Sequence, residues 1–252
     1  MSWIQKAKDT PSALLLFVQL AGVLLYPFME ETRAGRALFS ALGIIVLALA
    51  VLTVRRTPSF TWVSICLATP ALILLVAQLF SSASWLTTWS AAFEAPLYFY
   101  AAVGLIRYMF ADHIVTTDEL WAVGATFTLV AWGFAYIYVV VQAVAPGSFT
   151  AAVGPDQARS WMELLFLSFT TLSSTGLSDV VPIAAFARSV VMLEQLAGLL
   201  YVAMVVSRMV GLTFPRLGVG STQPQQGSSE QKPARRGGSG VDRPGRRGPS
   251  AR

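Results

Sequence analysis

Six of the ten residues from Thr170 to Asp179 carry hydroxyls, in the run TTLSSTGLSD. Such a run in an apolar chain either glues helices together through hydroxyl hydrogen bonds or offers oxygens to a cation. The preceding stretch, about Ser160 to Leu172, is amphipathic and too short to span a bilayer. A helix that enters the membrane and stops partway leaves carbonyls without partners, and non-helical backbone at that depth survives only against protein or water. Its C-terminal end also carries partial negative charge. Carbonyl and hydroxyl oxygens that follow at once can replace the water shell of a cation. No nucleophile–base pair, phosphate-binding loop or metal-ligand cluster competes with that chemistry. The chain has one His, His113, and one Cys, Cys66, so neither an enzyme nor a resident cofactor or metal is expected beyond a permeating monovalent cation.

The elements that would position this run are written in the composition. Of 252 residues 55% are hydrophobic and 12% charged, with mean hydropathy +0.61, whereas an ordinary soluble domain carries about 25% charge. The apolar residues fall in blocks long enough to cross a bilayer, which predicts an all-α membrane protein with six transmembrane helices. They run from about Ser12 to Met29, Ala37 to Val54, Phe60 to Phe80, Trp85 to Phe110, just after TTDEL to Val144, and Ile183 to Leu212. Thr116 and Glu119 have the spacing of a capping box for the fifth. The first reads as a retained helix, since YPFMEE offers no small-residue cleavage site. Lys6, Lys8, Arg55, Arg56, Arg107, Arg208 and Arg216 then share one side, and Arg33, Arg36, Arg159 and Arg188 the other. That bias predicts a plasma-membrane protein with both termini cytoplasmic and the run from Ser168 to Pro182 outward. From about Gly218 the chain is Gly, Pro, Ser, Gln and Arg without periodicity, the composition of a disordered tail. Contact with anionic lipid is one reading of its charge; a solvated tail is the other. Nucleic acid is not an expected partner, because the remaining positive charge flanks apolar runs.

From about Asp118 to Leu212 the order of span, short helix, hydroxyl-rich loop and span resembles the pore domain of the tetrameric potassium-channel superfamily. The filter of that family reads T-T-L-T-T-V-G-Y-G-D. Here Thr170, Thr171 and Leu172 match, Ser173 and Ser174 stand at the two Thr, Thr175 at Val, Gly176 at the first Gly, Leu177 at Tyr, Ser178 at the second Gly and Asp179 at Asp. The inner-helix segment LEQLAGLLYVAMVVSRMVG also resembles those of small bacterial members. The resemblance implies a homotetramer whose ion-binding filter is formed by Ser174, Thr175, Gly176, Leu177 and Ser178, supported by Thr171 and Asp179. Gly176 would supply the positive φ that alternating carbonyls demand. Ser178 stands where the family has a left-handed Gly, which would cost about 1–2 kcal/mol, and Ser178→Gly is expected to relieve it. With Leu177 the phenol that ties the family filter outward is missing, and Phe166 and Leu167 stand where voltage-gated members carry a Trp pair. The filter cuff is therefore expected to be apolar packing.

Three more residues stand out. Glu194 is an intramembrane carboxylate early in the sixth helix, where it can hold the back of the filter or pore helix, or attract cations in the cavity. Gly198, four residues on, is either a gating hinge or a site of close helix contact. Glu94, beside Pro96 in the fourth helix, can pair with a neighbouring polar group or sit at the outer interface. That helix has only Arg107 at its end, so the chain lacks a voltage sensor. The expected domains are a four-helix transmembrane bundle over 1–115, a pore domain over 116–215 and the basic tail over 216–252. The expected function is passive cation conduction across the lipid bilayer, potassium foremost, through the degenerate filter STGLS. A potassium-uptake transporter-like subunit and a non-conducting scaffold that retains the pore fold are the alternatives.

Overall fold

The computed structural model describes residues 10–29, 61–81, 83–111 and 116–213, with five further helical positions between 43 and 49. The rest of the expected span from Ala37 to Val54, together with His113 and the tail, lies outside the described residues. So do Lys6, Lys8, Arg33, Arg36, Arg55, Arg56 and Arg216, seven of the eleven charges behind the expected orientation. The helices are α1 (Pro11–Met29), α2 (Thr61–Phe80), α3 (Ser84–Met109), α4 (Thr117–Val144), α5 (Trp161–Leu172) and α6 (Ala185–Thr213). Among the described residues α1, α4 and α6 are long and apolar enough to cross a membrane, while α2 and α5 carry shorter apolar runs, Trp62–Gln78 and Trp161–Leu172.

Helix α4 organises the chain, and its start explains how. Thr116 caps it by accepting from the Glu119 N–H at 3.3 Å, but Glu119 does not complete the box, because its carboxylate takes Arg208 of α6 at 2.9 Å. The Arg208 guanidinium also lies 4.9 Å over the Phe110 ring. The preceding acid, Asp118, accepts from the backbone and hydroxyl of Ser12 at 3.1 and 3.0 Å and from the Tyr108 hydroxyl at 3.1 Å. Two acids in the first turn, where the helix dipole favours negative charge, thus fasten α1, the end of α3 and the end of α6 to one point.

Along its length α4 faces two cores. One side packs on α1 and α3 through Leu15, Leu97, Tyr98, Leu105, Leu129 and Trp132, all buried. The other packs on α5 and α6 through Phe134, Tyr138, Leu164, Leu167, Val190 and Val191. Helices α2 and α3 are joined through residues 81–83 and packed together. Exposed Trp62 and Trp121 sit at the starts of α2 and α4, and exposed Trp85 and Trp89 at the start of α3, as in the aromatic belts of membrane proteins. Glu94 is fully buried rather than at an interface: it accepts from Ser90 at 2.9 Å, which in turn accepts from Gln78 of α2 at 2.9 Å.

One element is not helical. Strands β1 (Phe149–Thr150) and β2 (Val181–Pro182) pair antiparallel, Phe149 opposite Pro182 and Thr150 opposite Val181. The ladder continues in a bond from the Ile183 N–H to the Ser148 carbonyl at 2.9 Å, which ties the loop after α4 to the segment entering α6.

Candidate ion-conduction site

The short helix α5 starts at a complete capping box. Ser160 accepts from the Glu163 N–H at 3.3 Å and Glu163 accepts from the Ser160 N–H at 2.6 Å. The spacing S-x-x-E before an apolar run was readable in the sequence, although only Thr116 was singled out for such a role. Arg159, counted above as a charge marking a membrane side, is buried in the protein. Its guanidinium donates to the carbonyls of Val153 at 3.1 Å, Gln157 at 3.0 Å and Gly154, and meets Glu163 at 3.4 Å. Gln142 of α4 clasps the Arg159 backbone from both sides, at 2.6 and 3.0 Å. Trp161, the first residue of α5, packs on Tyr26, Trp132 and Tyr136 with ring centroids 5.3, 5.2 and 5.8 Å away.

At its other end α5 stops in a defined turn. The Ser174 N–H donates to the Thr171 carbonyl at 3.0 Å and the Thr175 N–H to the Thr170 carbonyl at 2.9 Å, the two bonds of a Schellman motif. The Gly176 N–H adds a third, to the Thr170 carbonyl at 3.0 Å. In this motif the residue after the helix cap is left-handed and usually Gly; here it is Ser174, with φ 59°. Gly176, two residues on, has φ 65°. Thr175 and Leu177 between and after them are not left-handed, so the backbone alternates over this short run.

The alternation ends before Ser178, which is not left-handed, contrary to the expectation taken from the family's second Gly. Its hydroxyl instead accepts from the Val180 N–H at 3.1 Å, a local turn that Ser, Thr, Asn and Asp side chains make. The strain lies at Ser174, where the hydrogen bonds that end α5 hold the backbone left-handed. Ser174→Gly is therefore expected to stabilise the protein by about 1–2 kcal/mol, while Ser178→Gly gains nothing and loses a hydrogen bond. Thermal melting of the two variants side by side checks this, and a larger gain from Ser178→Gly would contradict it.

Behind the loop, Glu194 of α6 is fully buried and accepts from the Tyr138 hydroxyl of α4 and the Ser168 hydroxyl of α5. Ser168 also lies 2.8 Å from the Ala131 carbonyl. Tyr138 and Ser168 were not assigned this role from sequence; they lie 56 and 26 residues from Glu194, and no local pattern joins them. Gly198, one turn further on, meets the end of α5. A Cβ there would run into the Leu172 carbonyl oxygen and lie 2.8 Å from its carbon, and α6 continues through it without a break.

Of the other candidate residues, Thr171 is buried, Leu177 points out of the chain at 77% exposure, and Asp179 is exposed. Leu167 is buried and Phe166 half-exposed on the α5 surface. A cavity of about 430 Å³ is lined by Thr170, Thr171, Ser174 and Gly176 on one side and by Gln195, Leu196 and Leu199 of α6 on the other.

Residues 124–214 match the family described as Ion channel. Protein LctB of Bacillus caldotenax is 32% identical over 103 residues, which is 40% of this chain and 76% of that protein. Protein LctB of Geobacillus stearothermophilus is 31% identical over the same shares. No solved structure matches the chain significantly. A short apolar helix capped at both ends, a loop of alternating handedness and two flanking apolar helices coincide with the matched region, and the chain belongs to the ion-channel family, within the pore superfamily of the potassium channels.

Proposed function

We propose that four copies of this chain surround an axis and conduct a monovalent cation, potassium foremost, along the backbone oxygens of Ser174, Thr175, Gly176, Leu177 and Ser178. The observation that carries this reading is the left-handed pair Ser174 and Gly176, because alternating handedness turns successive carbonyls to the same side. One loop offers oxygens from one direction only, and four are needed to ring an ion. The exposed apolar residues Met192, Leu193 and Leu200 on α6 suit packing against such copies. Residues 116–215 then form the pore and 1–115 a peripheral bundle without a voltage sensor. The basic tail over 216–252 meets anionic lipid, and both termini face the cytoplasm of a plasma-membrane protein. Thr171, Asp179 and Glu194 support the filter.

Purified protein in liposomes under opposed potassium and sodium gradients tests the reading through the reversal potential. Gly176→Ala is expected to abolish the flux. Nothing lies within 4 Å of a Cβ at Gly176 in one chain, so the penalty is backbone strain of about 1–2 kcal/mol repeated in four subunits. Undiminished flux from Gly176→Ala would sink the filter assignment. A mass of one chain in mild detergent, in place of four, would sink the assembly.

A further inference from the structure

The face of α6 beside the filter loop is apolar with one exception. Met192, Leu193, Leu196, Leu199, Leu200 and Val202 are exposed there, and among them so is Gln195. Its amide makes no hydrogen bond to the described residues, and it shares the 430 Å³ cavity with Thr171, Ser174 and Gly176. An amide at this depth facing hydrocarbon would lose its water without compensation. A neutral side chain with one acceptor oxygen and two donors is satisfied there only by a partner or by water. The cavity supplies the space for water, and it lies against the first residue of the oxygen-lined run.

Resting on the pore reading above, we infer that Gln195 faces the aqueous side of the filter loop and is a positioning residue that sets the rate of permeation. Its amide hydrogen-bonds the hydration shell of the monovalent cation that exchanges with the Ser174 oxygens. The ligand class is a hydrated monovalent cation. Four amides about the axis offer it oxygens and N–H groups without adding charge, so the cavity holds a hydrated ion close to the filter loop while leaving it free to depart. Leu196 and Leu199 on the same wall cannot do this, and they leave Gln195 as the polar group that α6 presents to the ion.

Two measurements test this. In the first, Gln195→Cys is made in a Cys66→Ser chain and treated with a charged, water-soluble thiosulfonate in liposomes. Modification seen by mass spectrometry is expected, whereas an unmodified thiol would overturn the water-facing placement without any reference to conduction. In the second, unitary conductance is compared for the wild type, Gln195→Leu and Gln195→Met, with tetramer mass and melting as folding controls. A drop of about two- to tenfold is expected in both variants, the worth of one net hydrogen bond. Variants that assemble and conduct like the wild type would overturn the inference while leaving the pore reading intact. A wild type that does not conduct, with Gln195→Cys still modified, would instead sink the pore reading.

Discussion

Gly198→Ala is expected to abolish conduction and to lower the melting temperature together. Two effects oppose each other. Ala is the better helix former by about 1 kcal/mol, and α6 is continuous here. Against that, the new methyl meets backbone, the Leu172 carbonyl group at the end of α5, which cannot rotate away as a side chain could. Overpacking costs about 1–3 kcal/mol even where side chains give, and backbone has less freedom, so the clash wins. The end of α5 must move, and the loop from Ser174 moves with it. A hinge would behave differently: Ala would leave melting unchanged or raised and change the open probability alone. Heating the purified protein before size-exclusion chromatography, alongside bilayer recording, tells the two apart, and unchanged melting would show that the contact is not tight.

Glu194→Leu is expected to destabilise the pore half by about 2–5 kcal/mol, while Glu194→Gln stays close to the wild type. The leucine leaves the Tyr138 hydroxyl buried without a partner, at about 1–3 kcal/mol, and fits the site imperfectly. Ser168 keeps the Ala131 carbonyl, 2.8 Å away, so its loss is smaller. With glutamine, the amide oxygen accepts from Tyr138 and the amide nitrogen donates to the Ser168 oxygen. The single Ser168 proton then goes to Ala131, and each contact is filled. Equal melting of the Leu and Gln variants would show that this junction is held by packing rather than by hydrogen bonds.

The helices were legible because the signals that bound them are local. The apolar blocks begin after the polar stretches RRTPS and SDVVP, so α2 was expected over Phe60 to Phe80 and is found at Thr61–Phe80, and α6 was expected from Ile183 and begins at Ala185. The pairing of Phe149 with Pro182 was not legible: two residues carry no alternation, and their partners lie a whole helix apart. The loop was legible in its residue types and misread in its backbone. Aligning Ser178 with a family glycine placed strain there, whereas the hydrogen bonds that end α5 place it at Ser174. Glu194 stood out as a carboxylate among apolar residues, but its partners come from α4 and α5, and only the packing of three helices could name them.

The acids at the start of α4 also set an order of events during synthesis. Asp118 has its partners, Ser12 and Tyr108, earlier in the chain, and can be satisfied as it is made. Glu119 must wait for Arg208, 89 residues later, which is roughly 4–18 s at ribosomal speeds of about 5–20 residues per second. In that interval the first-turn N–H groups of α4 are its nearest source of positive potential. Among the described helices α6 is the last to leave the ribosome, and it is the one that neutralises this carboxylate.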